Sequence, residues 1–193
     1  MDPDIWPVII AYTKKYDPDP GHAMQVCTLS LMLFDEMRDL HHMGAKTRDL
    51  LRAGSLLHDI GWSFPGKPHH KASRDQILAD TSLPFKNRER TIVALIARYH
   101  RRSYPDARHA LYRDLDPAEQ EIVRYCGAIL RIADMLDRKH ISQVQTLECN
   151  ITPDEIHISC TATTPLIIAP EIFSEKAGLL ELLTNHRIYL KCN

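Results

Sequence analysis

The side chains best equipped for chemistry in this sequence are histidines and aspartates set into apolar surroundings. His58 and Asp59 are adjacent in LLHDIGW, at the end of an apolar run carrying Leu50, Leu51, Leu56 and Leu57. Burying an unpaired carboxylate there costs on the order of several kcal/mol unless a cation or a donor network compensates. Asp59 therefore needs a partner. His22 opens one apolar stripe, His100 closes another, and Asp134 follows Val123, Gly127 and Leu130 on a third. Taken singly, each histidine fits a core imidazole bonded to a carbonyl. Taken together, they allow several helices to converge on one metal cluster.

The elements that must position these residues are mostly helical. His22, Val26, Leu29, Leu33 and Met37 recur at steps of three and four, and Asp19-Pro20 reads as N-cap and first helical residue. A second helix runs into His58-Asp59-Ile60-Gly61, where Gly61 and a proline-rich stretch to Pro68 end it. Helical patterns follow from His70 to Leu78 and from Glu89 to His100, and another opens at Asp116-Pro117 with Glu119 completing a capping box and runs to Arg138. The last fifty or so residues switch to alternation: Leu147, Cys149 and Ile151, then Ile156, Ile158, Cys160 and Ala162 across Thr152-Pro153-Asp154. A helix from Pro170 to about Thr184 and a final segment with Ile188, Leu190 and Cys192 complete a β-β-α-β appendage. The expected fold is mainly α, a helical bundle over 1–140 with a small α/β subdomain over 141–193.

The 193 residues suit one globular domain with a small appendage. With 24 basic and 25 acidic residues the net charge is −1, so no global field pulls the chain toward nucleic acid or membrane. No stretch approaches the ~20 apolar residues that span a bilayer. The N-terminus lacks the basic-then-apolar order of a secretory signal. The five cysteines are widely spread, odd in number and without a C-x-x-C pair, which fits a reduced, cytoplasmic setting. Nucleic acid is not an expected partner, because the arginines are not interleaved with aromatic reading residues.

LLHDIGW, HHKAS, ARYHRR and AILRIADMLDRKH, in that order, resemble the HD superfamily of metal-dependent phosphohydrolases. From His22 onward, including HAMQVCTLSLMLFDEM and the terminal α/β part, the chain is most similar to the C-terminal HD-like region of exopolyphosphatases and guanosine pentaphosphate phosphohydrolases. That resemblance implies an HD helical bundle. It also implies a mononuclear ligand set of His22, His58, Asp59 and Asp134, with His70 and His100 added in binuclear members and His69 as the competing choice for His70. Asp59 would bridge the two ions. Exopolyphosphatase activity itself is not expected, since that family's phosphate chemistry belongs to actin-like domains with glycine-rich loops that this sequence lacks. Trp62 stands where many active HD enzymes have lysine, and His100 is single where cyclic dinucleotide phosphodiesterases have paired histidines. The fuller ligand set resembles that of binuclear diadenosine tetraphosphate hydrolases.

Four imidazoles and two carboxylates would suit a divalent transition metal, one or two ions, with iron or manganese favoured and nickel, zinc or magnesium possible. Such ions would activate a hydroxide for hydrolysis of a small phosphoester or phosphoanhydride, such as a nucleotide or dinucleoside polyphosphate. Basic residues crowd the same segments. Lys71, Arg101, Arg102, Arg131 and Arg138 are candidate phosphate clamps, with Asp59, Arg101 and Lys71 the candidate catalytic groups. The alternative for each cation is a solvated rim or a structural pair with Asp137. The alternative for the whole chain is a regulatory module that binds a phosphorylated ligand without turnover. A homodimer is compatible with either.

Overall fold

The computed structural model describes residues 4–193. Helix α1 (Ile5–Tyr16) leads into α2 (Pro20–Glu36), a short α3 (Arg38–His41) and α4 (Ala45–Leu56). A 3-10 turn (Ile60–Ser63) precedes α5 (His69–Ala79) and α6 (Asn87–Arg98), then a short α7 (Ala110–Arg113) and the 20-residue α8 (Pro117–Leu136). The C-terminal part is β1 (Val144–Ile151), β2 (Glu155–Ala162), α9 (Pro170–Thr184) and β3 (Arg187–Cys192). The chain is mainly α with a small terminal sheet. Among the described residues no helix is long and apolar enough to cross a membrane.

The starts of two central helices follow directly from their caps. Asp19 accepts from the backbone N–H of His22 at 3.1 Å with Pro20 at the first helical position. Asp116 and Glu119 form the reciprocal capping box expected for α8. Helix α2 packs on α4 and α8, α4 on α6, and α5 on both α6 and the 3-10 turn. Leu29, Leu33, Leu51, Val93, Ile129 and Ile132 are fully buried where these faces meet. Helix α1 was not anticipated as an element of its own. It adds Ile5, Ile9 and Tyr12 to the same core.

The hairpin and the α-β extension are arranged as the alternation suggested. Strands β1 and β2 pair antiparallel, and β3 lies parallel to β2 on its other edge. Helix α9 packs on α8, and β1 packs on α2, so Ile156, Ile158, Leu180 and Ile188 join one continuous core with the bundle. The β2–β3 register sets Cys160 opposite Cys192 with Cα atoms 4.4 Å apart, and a disulfide joins them. A crossover through α9 makes neighbours of residues 32 apart in sequence, which spacing alone does not display. Cys27, Cys126 and Cys149 are free thiols.

Candidate metal centre

Each chemically equipped residue sits at or near a helix end, and at the C-terminal ends backbone carbonyls lacking intrahelical partners are available to orient a ring. His58 follows α4, and its Nδ1 lies 2.8 Å from the Ser55 carbonyl oxygen. His100 follows α6, with Nδ1 2.7 Å from the Ala97 carbonyl oxygen. These contacts require Nδ1–H to donate, so Nε2 in each neutral ring carries a lone pair. His22, in the first turn of α2, directs Nδ1 to Asp137 Oδ2 at 2.9 Å. The three Nε2 atoms are thereby turned toward one another's neighbourhood. Those of His22 and His58 are buried with no hydrogen-bond partner, as is Asp59 Oδ1.

The donor atoms form two adjoining groups. In the first, His22 Nε2 and His58 Nε2 lie 3.6 and 3.8 Å from Asp134 Oδ1. In the second, His69 Nε2 and His100 Nε2 lie 3.3 and 3.6 Å from Asp59 Oδ1, and 3.3 Å from each other. Within each group the candidate ligand atoms all lie within 4.8 Å of one another. Asp59 Oδ2 is 3.7 Å from His58 Nε2, so its two oxygens face different groups.

His70 does not join either group. It is buried, but its Nδ1 has no partner, and its ring meets those of His69 and His100 only edge-on at 5.5 and 6.3 Å. The geometry thus brings His69, and not the expected His70, beside Asp59 and His100. Helix α5 begins at His69, and successive helical residues diverge by about 100°, so only one of the two can face Asp59. Gly61 sets which. A Cβ there would stand 2.0 Å from the His69 carbonyl oxygen and 2.5 Å from the Ser73 nitrogen, so a bare α-carbon lets the first turn of α5 come down onto the 3-10 turn. Ser73 Oγ locks this contact, accepting from the Gly61 N–H at 2.9 Å and donating to the His58 carbonyl at 2.6 Å.

The charges of the cluster follow from burial set against proximity. Burial pushes His100 down to about 3, with His58 adding to the effect. Burial also lowers His69, against the pull of Asp59. For His22 burial is outweighed by the nearby Asp134 and Asp137 carboxylates, and the imidazole rises to about 10. Asp134 resists burial through His22 and Lys176 and is held well below the usual carboxylate range. Asp59 is likewise lowered, its burial outweighed by His58 and His100. The carboxylates are anionic and His69 and His100 neutral, while His22 holds a proton that a bound cation would displace.

A cavity of about 820 Å³ opens onto both groups. Arg101, Arg102 and Arg138 line it, and Arg101 Nη1 approaches His69 Nε2 at 3.4 Å. Lys71 does not. It is exposed on α5 away from the cavity wall, having the wrong helical phase once His69 faces Asp59. Arg131 also departs from the clamp expectation. It is buried, donates through Nη1 to the carbonyls of Tyr99 and Arg102 at 3.2 and 3.3 Å, and lies over the Tyr104 ring. It fastens the segment that carries His100, Arg101 and Arg102.

Three residues of the site have no expected role in the sequence, and a fourth, Asp137, stands there only as a structural partner for the cations. Lys176 on α9 donates to Asp134 Oδ2 at 2.7 Å, leaving Oδ1 to the histidines. Nothing marks it, because it comes from the terminal α/β part. Asp137 orients His22 and stands three residues after Asp134, a spacing that signals a shared helical face. His140 stacks on His22 with ring centres 3.7 Å apart and bonds to Asp19. Asp17 lines the cavity, buried with Oδ2 unpartnered, and burial raises its carboxyl to about 6. The sequence profile of the family described as Ppx/GppA phosphatase, domain III, matches residues 8–169, most of the bundle and the whole hairpin.

Proposed function

This chain belongs to the Ppx/GppA phosphatase domain III family, and from that premise we propose that it is an HD-type metal-dependent phosphohydrolase acting on a small phosphoester or phosphoanhydride. Its phosphatase-related family and its His/Asp groups support hydrolysis and metal binding at the coarse level. The finer reading rests above all on one observation. Three histidines have Nδ1 tied to a carbonyl or carboxylate while their Nε2 atoms converge with two carboxylates, and three of the converging atoms are buried without a partner. Buried polar atoms are rarely left unpaired, and a ligating histidine whose other nitrogen is held by an oxygen is the usual support of a metal site.

The donor set fits a divalent transition ion such as iron or manganese, with nickel or zinc also suited to its nitrogen-rich composition. His22, His58 and Asp134 would hold one ion, and Asp59, His69 and His100 a second, with Asp59 turning an oxygen to each group. A bound ion supplies Lewis acidity toward phosphate oxygens and a coordinated water of lowered pKa. The protein's own residues do the remaining work. Arg101, Arg102 and Arg138 surround the approach to the cluster and match phosphate oxygens with planar donor forks. Lys176 neutralises one oxygen of Asp134 and fixes its rotamer. Burial of the histidines keeps water from competing for their lone pairs.

The test is a screen of metal-analysed protein against phosphomonoesters, nucleotides and dinucleoside polyphosphates, with manganese, iron or magnesium added and with chelator. Metal-dependent release of phosphate or nucleotide is expected. Stable metal and ligand binding with no turnover of any compound would make the chain a binding module instead.

A further inference from the structure

Eight large apolar side chains are conspicuously exposed among the described residues, and Trp62 is the one of them that lines the cavity. Its side chain is 56% exposed. The 3-10 turn that follows Asp59 projects it there, anchored by the Trp62 N–H donating to the Asp59 carbonyl at 3.1 Å. The indole lies on the imidazole of His69, ring centres 4.1 Å apart and planes 22° from parallel. His69 Nε2 in turn lies beside Asp59, His100 and Arg101. A flat, solvent-accessible aromatic surface is thus rigidly attached to the donor cluster and adjoins a guanidinium.

The dimensions suit something larger than phosphate. A cavity of about 820 Å³ falls within the ~300–1,000 Å³ range of small-molecule sites and far exceeds the needs of a single phosphate ion. Around the cluster its polar lining is rich in charge, and an exposed indole at its wall offers the complementary contact to a group that is planar and weakly polar. Such stacking tolerates any base, since each has a π-face, and it is supplied by the ring rather than by hydrogen-bond readout.

We propose that Trp62 is a stacking platform for a nucleobase, so that the site takes nucleoside phosphates in preference to phosphates of aliphatic alcohols or inorganic phosphate chains. This rests on the phosphohydrolase reading above. The phosphate would meet the metal groups and Arg101 while the base covers the free face of Trp62. Trp62 is then a specificity-determining residue, and the residue type found at this position decides the substrate class.

Binding of adenosine monophosphate, ribose 5-phosphate and inorganic phosphate to the metal-loaded protein and to its Trp62 variants tests the proposal. Affinities in the parent and in the Trp62 variants are read by isothermal titration calorimetry with phosphonate analogues of the two esters, which cannot be hydrolysed; in the parent a base-dependent fluorescence quench also reports Trp62, since the other tryptophan, Trp6, lies beneath the Arg52 guanidinium at 3.9 Å. Adenosine monophosphate is expected to bind about tenfold or more tighter than ribose 5-phosphate, a difference of about 1.4 kcal/mol or more. Trp62→Leu, which keeps an apolar cover over His69, should abolish that ratio while leaving metal content and ribose 5-phosphate affinity within about twofold; Trp62→Phe should keep part of it. Equal affinities for the two ligands in the unaltered protein, or an unchanged ratio in Trp62→Leu, overturn the platform and leave the phosphohydrolase reading standing. Loss of metal in both variants also overturns it, assigning Trp62 to support of His69. Failure of all three ligands to bind metal-loaded protein overturns both readings.

Discussion

Replacing Gly61 with alanine should cost both stability and half of the donor cluster. The new Cβ would lie 2.0 Å from the His69 oxygen, 2.5 Å from the Ser73 nitrogen and 2.7 Å from Ser73 Oγ. Two of these three atoms are backbone, so no rotamer change relieves the overlap. Restoring an ordinary 3.4 Å contact to the His69 oxygen requires the first turn of α5 to retreat by about 1.4 Å. That movement breaks the Gly61–Ser73 and Ser73–His58 hydrogen bonds, each worth ~1 kcal/mol net, and adds an overpacking cost of ~1–3 kcal/mol. The sum is a loss of about 3–5 kcal/mol, which at this chain length lowers Tm by about 6–20 °C. His69 moves with its helix, so the group it shares with Asp59 and His100 should lose metal affinity before the His22, His58 and Asp134 group does. Scanning calorimetry with and without metal, paired with metal titration, reads both effects. Gly44→Ala is the control, since nothing lies within 4 Å of its Cβ position. A Gly61→Ala protein that melts within about 2 °C of the parent, with unchanged metal binding, would refute the reasoning.

Asp59→Asn should retain the fold but lose hydrolysis by orders of magnitude, because it removes the carboxylate facing both groups; full activity in a steady-state assay would place the chemistry elsewhere. Arg101→Ala should leave metal content intact and weaken substrate use by ~1–3 kcal/mol in kcat/KM, whereas loss of metal would contradict its role at the cavity wall. Arg131→Met should instead lower Tm, since the carbonyls of Tyr99 and Arg102 lose their donor at ~1–3 kcal/mol; an unchanged melting curve would deny its fastening role. The metal-free protein should weaken in acid. His70 and His100 are pushed to about 3 in the fold, so the unfolded chain takes up those protons first as pH falls below ~6.5. Their contribution is present above that pH and lost on the way down toward 3, by up to ~1.4 kcal/mol per pH unit for each, with Asp17 offsetting one part below about 6. Urea midpoints that do not fall between pH 7 and 5 would contradict the buried neutral histidines.

What the sequence disclosed, and what it hid, divides along a physical line. Local signals came through: the Asp19-Pro20 start of α2, the Asp116/Glu119 box of α8 and the alternating hairpin all depend on residues within a few positions of one another. The structure also gathers His22, His58, Asp59, His100 and Asp134 into adjoining groups, because each lies at the buried end of a helical stripe. The choice between His69 and His70 was not local. It depends on the phase in which α5 docks, which the missing side chain of Gly61 and the hydroxyl of Ser73 decide. Arg131 shared a helical face with Asp134, yet whether a guanidinium meets solvent or two carbonyls depends on how the 99–104 segment folds over it. Lys176 and the Cys160–Cys192 bond both arise from the crossover through α9, where long-range register rather than pattern makes the contact.

The most direct test of the metal centre is anomalous diffraction from crystals grown with manganese. The geometry calls for scattering peaks at two positions, one among His22, His58 and Asp134 and one among His69 and His100, with Asp59 between them. Protein that shows no peak at either position, or a metal held by His70 in place of His69, would contradict the centre described above.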